Sequence, residues 1–190
     1  MNFLLALVVL YPSLAAEIKM KKKYSWQQAV LHWVTAVIII WATITGFYVG
    51  LFNVTPELKA LIAFINVSIT TLLIPVFIVR LYFYFTAEKP EEINTTGLTQ
   101  FIAHAVHFII YLNITVVLVT GVLMMERDIN VFNLFIIPQP IHDLAVTAQF
   151  NTVHIFSCAT LAILILLHIA AVIKHELSGK KVLKRMSLSA

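Results

Sequence analysis

Four apolar runs, each long enough to cross a bilayer, set what this chain can fold into. They cover residues 29–51, 58–85, 101–125 and 150–173, and a hydrocarbon core of about 30 Å needs about 20 helical residues. With 61% hydrophobic and 12% charged residues among 190, the chain is too apolar for an ordinary soluble domain. Lipid offers no water to satisfy loose backbone groups, and the runs lack the period-2 alternation of a membrane barrel. The expected fold class is therefore all-α, an integral-membrane four-helix bundle. Pro75 inside the second run should kink that helix.

The basic residues give an orientation. Lys19, Lys21, Lys22 and Lys23 precede the first run, Arg80 and Lys89 close the second, and Lys174, Lys180, Lys181, Lys184 and Arg185 follow the fourth. Only Lys59 and Arg127 fall on the other side. The positive-inside rule then places both termini in the cytoplasm. The net charge of +4 is accounted for by anionic headgroups of the lipid bilayer and requires no nucleic acid. Residues 1–19 form an apolar leader broken at Tyr11-Pro12 and too short to span comfortably. Export of Lys21–Lys23 behind a cleaved signal would oppose the charge bias, so translation from Met20 is the working start and 20–190 the membrane domain.

Between the runs, 88–97 is polar and turn-rich and reads as a connector. The outer segment of about two dozen residues between the third and fourth runs, with Pro138, Pro140 and Asp143, is long for a plain loop, and a short interfacial helix over 144–149 is expected there, lidding the bundle. The single cysteine, Cys158, excludes a disulfide framework and a cysteine-ligated cluster. There is no glycine-rich phosphate loop and no pair of intramembrane carboxylates, which sets aside nucleotide and hydrolase chemistry.

Histidines carry the functional signal. His32 stands at the start of the first run, and His154 and His168 lie fourteen residues apart on the fourth. An ionisable ring at membrane depth is a functional-site hypothesis in itself. Fourteen residues rise about 21 Å through almost four turns, so both rings face nearly the same side at two depths. His32 can reach across the bundle to one of those levels and hold a planar metal cofactor between two imidazoles, with haem the leading candidate.

Taken in order, the pattern is His32-Trp33, then Arg80 closing the second helix, Ala103-His104-Ala105-Val106-His107 opening the third, Gly121-Val122-Leu123-Met124-Met125 closing it, His154 and His168 on the fourth, and the tail Leu183-Lys184-Arg185-Met186. This ordered set resembles the prokaryotic cytochrome b-561 family, over almost the whole chain from Met20 to Met186. The resemblance implies a four-helix b-type cytochrome that exchanges electrons with membrane quinone; some members pass electrons from superoxide to ubiquinone. It also implies that His32 and His168 are the haem ligands on the cytoplasmic side, and that His154 is a ligand of a second haem further out. His104 and His107 either contact quinone or a haem propionate or make only interhelical bonds, and Arg80 either pairs with a propionate or snorkels to the headgroups. Gly46 and Gly121 either leave room for the macrocycle or are small residues at helix contacts.

One position departs from the family. Fourteen residues before Arg80 stands Asn66, where the pattern expects the histidine that pairs with His154. A neutral amide is a poor iron ligand. One haem b is therefore expected, with His142, Met124 or Met125 as substitute ligands should a second bind, although packing suits the methionines and solvent suits His142.

Three functions stay open at this point. The first is an electron-transfer cytochrome using quinone and an outer donor or superoxide, fed in some cases by an electron-donor protein. The second is a cytochrome b anchor subunit of a larger respiratory oxidoreductase. The third is a haem-depleted binding or assembly protein on the same scaffold.

Overall fold

The computed structural model describes residues 23–87 and 97–188. The apolar leader with its Met20 start, and the connector through Lys89, lie outside the described residues.

Four long helices account for nearly all of it: α1 (Trp26–Leu51), α2 (Pro56–Thr86), α3 (Gly97–Leu123) and α4 (Leu144–Leu177). All are long and apolar enough to cross a membrane. Their starts are written locally. Ser25 caps α1 in a reciprocal capping box with Gln28. Thr55 caps α2 just ahead of Pro56 at its first position, where a missing N–H costs nothing. Asp143 accepts from the amides of Ala145 and Val146 to start α4. Helix α2 continues through Pro75 rather than ending there.

Antiparallel neighbours pack as pairs, α1 with α2 and α3 with α4, and α2 joins the pairs more loosely through α3. Ile39, Leu73, Phe77, Ile114, Leu118 and Leu161 form the buried core between them. The outward faces carry exposed large apolar side chains, such as Ile44 at 63% and Leu166 at 68%. In water these would be a liability, whereas in lipid they are the expected solvent-facing surface.

The connection between α3 and α4 differs from expectation. No separate helix covers 144–149; those residues are the first turns of α4, because the Asp143 cap sets the helix going at once. The connection instead holds an antiparallel hairpin, β1 (Ile129–Val131) and β2 (Phe135–Ile137). Phe132 and Asn133 take left-handed φ values of 46° and 57° in its turn, and the Asn130 and Asn133 side chains bond across it. A left-handed phenylalanine is uncommon. Here it is held by α2: Ser68 Oγ accepts from the Phe132 amide at 3.1 Å and donates to the Asn130 carbonyl at 3.3 Å, while the Phe132 ring sits edge-on to Phe64. Ile129, Val131 and Met125 are buried beneath, against Val67 and Val122.

At the other end, α4 closes at Ser178, and Gly179 adopts φ +78° to turn the chain back. A short helix α5 (Val182–Arg185) follows. The tail then lies on the start of α1: the Trp33 indole donates to the Met186 carbonyl at 2.9 Å, and the Tyr24 amide to the Arg185 carbonyl at 3.1 Å. The start of α1 and the finish of α4 thus share one end of the bundle, called proximal below.

Candidate haem site

Each helix contributes one polar ring or cation at a proximal level. His32 lies two turns into α1, Arg80 near the finish of α2, His107 on α3 and His168 on α4. The Arg80 guanidinium donates to His32 Nδ1 at 2.9 Å and lies 4.8 Å over the Tyr111 ring. The His107 and His168 rings meet edge to face at 5.3 Å, and the His107 ring N–H donates to the Ala103 carbonyl of its own helix. Four of the six residues singled out from the sequence thus stand in two contacting pairs, His32 with Arg80 and His107 with His168, and Arg80 reaches Tyr111 on the helix that carries His107.

The other two stand apart. His104 is exposed and bonds the Gln100 carbonyl one turn back. His154 lies at the distal level: its Nδ1 is 3.1 Å from both the Val117 carbonyl and Thr120 Oγ1, and its Nε2 is 3.4 Å from Cys158 Sγ. Asn66 bonds Thr45 on α1. Of the substitute ligands, Met125 is buried in the hairpin cluster and His142 is exposed. Gly121 backs the His154 ring, since a Cβ there would come within 3.2 Å of its Cε1, while a Cβ at Gly46 would meet open space.

Tyr111 escaped the sequence reading, although it stands four residues after His107 and so shares its helix face. It stacks between Phe77 and Tyr84 and receives Arg80.

The donor set suits a haem. Among the described residues there is no cluster of three or more His, Cys, Asp or Glu side chains of the kind that binds a bare ion. Paired imidazoles from facing helices need a cofactor that supplies the other four nitrogens itself. The helices that would flank it, α1 and α4, are not among the closely packed pairs. Between them runs an open-sided groove of about 570 Å³, lined by Ile40, Ile44, Phe47, Ile165 and Ile169 among others. Ile165 and Ile169 bracket His168 on α4. The groove is apolar and begins about two turns beyond His32 on α1; His32, Arg80 and His168 are not among its lining residues.

A family model matches residues 23–187, and its description is prokaryotic cytochrome b561. The chain belongs to the prokaryotic cytochrome b561 family. Membership spans all four helices, and the family binds haem b. The protein is a multi-pass membrane cytochrome of this family, consistent with haem b electron transfer. No curated protein matches the chain.

Proposed function

We propose that this cytochrome b561 holds a haem b between α1 and α4, with His32 and His168 as axial ligands, and exchanges single electrons between that haem and membrane quinone. The observation that carries the reading is the pairing of His32 with Arg80 and of His107 with His168 towards the proximal end, with Arg80 reaching across to Tyr111 on the helix of His107. Bound haem supplies the one-electron chemistry; the chain supplies ligands, charge and protons. Neutral imidazoles suit iron at both faces. Arg80 balances a propionate. His107, beside His168, gives its Nδ1 proton to the Ala103 carbonyl, so it would bond a quinone oxygen as an imidazolium, through Nε2–H, and hand over that proton on reduction.

The basic residues flanking the proximal end, Lys23, Lys174, Lys180, Lys181, Lys184 and Arg185, argue that this end faces the cytoplasm in a bacterial inner membrane. Both termini then lie inside, and quinone is served from the inner half of the bilayer. Quinol and superoxide are the two electron sources to compare.

The test is a pyridine haemochrome assay on purified protein, followed by addition of a short-chain quinol under anaerobic conditions. Haem b that is reduced by quinol supports the reading. A colourless protein that takes up no haem, or unchanged spectra in both His32→Ala and His168→Ala, overturns it.

A further inference from the structure

At the distal level the side chains that would form a second ligand pair do not face each other. Asn66 on α2 turns to α1: its Nδ2 donates to Thr45 Oγ1 at 2.9 Å, and Thr45 passes its own proton to the Trp41 carbonyl at 2.8 Å. His154 on α4 turns to α3. Its Nδ1–H points at the Val117 carbonyl and Thr120 Oγ1, which fixes the tautomer and leaves the lone pair on Nε2. That lone pair, the one iron would need, faces the Cys158 thiol one turn along the same helix. The ring itself fills the notch left by Gly121.

A third observation is independent of both residues. The outer hairpin packs on α2 at Val67 and Ser68, the positions next to Asn66, and buries Ile129 and Val131 there almost completely. Ser68 satisfies two hairpin backbone groups, which is what non-helical backbone at this depth requires. Around Asn66 and His154 the distal level is thus closed by interhelical bonds and an apolar plug. The groove between α1 and α4 follows Ile40 to Phe52 on α1 and Ala162 to Ile169 on α4, and no histidine, cysteine or methionine lines it.

We infer that the distal haem level of this cytochrome b561 is a structural lock, so that the chain carries one haem, and that its electron exchange is confined to the proximal half of the membrane. The inference rests on the proposed His32–His168 haem. The distal level lies about 21 Å from His168 by helical rise, so without a second haem no relay spans the bilayer within this chain. His154 and Asn66 then act as packing and hydrogen-bonding groups between helix pairs.

Titration of the purified protein with ferric haem, read by Soret absorbance per chain, tests this. Saturation at one haem per chain is expected for the wild type, for His154→Gln and for Asn66→His, with the same band shape in all three. The His154→Gln protein is expected to lose thermal stability while keeping its haem, which a ligand could not do. Two haems in the wild type, a second haem gained by Asn66→His, or haem lost from His154→Gln overturns the lock. No haem in the wild type overturns the proposed function and the lock with it.

Discussion

The guanidinium of Arg80 donates to Nδ1 of His32 at 2.9 Å, across the contact between α1 and α2. Arginine has no acceptor, so this bond places the ring proton of His32 on Nε2. A neutral His32 that held iron through Nε2 would carry its proton on Nδ1 instead and give up this bond, leaving the guanidinium close by to pair with a propionate. A fixed positive charge near the haem favours the reduced, less positive iron. Replacing Arg80 with Gln is expected to lower the midpoint potential by about 60 mV, equivalent to about 1.4 kcal/mol for one electron. Redox titration of the haem band checks the sign and size; an unchanged or raised potential would separate Arg80 from the haem.

Removal of a ligand is expected to be all or none. His168→Gly should lose the Soret band of low-spin haem, and added imidazole should restore part of it by filling the vacated coordination position. The rescue distinguishes a missing ligand from a collapsed bundle. Absorbance with and without imidazole is the measurement, and a His168→Gly protein with the wild-type spectrum would exclude this ring as a ligand.

Ser68 is fully buried and holds the hairpin through two bonds. Ser68→Ala leaves the Phe132 amide and Asn130 carbonyl without that partner, and unpaired buried groups cost about 1–3 kcal/mol in all. A lower thermal midpoint in detergent is expected, with haem content unchanged because the hairpin lies at the other end of the bundle.

Gly121→Ala puts a methyl group 3.2 Å from Cε1 of His154. That ring cannot retreat freely, since Thr120, the Val117 carbonyl and Cys158 surround its nitrogens. Overpacking of this kind costs about 1–3 kcal/mol. Chemical denaturation should show the loss, with the haem spectrum again unaltered; a neutral outcome would mean that α3 and α4 separate more easily than their packing suggests.

Trp33 ties the tail to α1 through its indole N–H. In Trp33→Phe the ring survives and the bond does not, at a cost of about 0.5–1.5 kcal/mol. Faster hydrogen exchange is expected at residues 182–188, with no change in the helices.

The four spans were legible because lipid enforces them: about 20 apolar residues without a charge have one stable backbone solution in a bilayer, and caps such as Ser25 with Gln28, Thr55 before Pro56, and Asp143 mark where each begins. The proximal histidines were legible for the same reason, since a polar ring is conspicuous in an apolar run. The hairpin was not. Its strands are three residues each, too short for a periodic signal, and its stability comes from Ser68, more than sixty positions away in sequence.

What the sequence by itself determined is the class of protein and its four spans, because both follow from local composition and the fixed rise of a helix. Only the tertiary structure decided which way the histidine rings turn. His154 and His168 lie on nearly the same face of one helix, yet His168 meets His107 near the groove while His154 is held against Gly121. Rotamer and neighbour are set by side chains that arrive from other helices, and no spacing along a single chain encodes them.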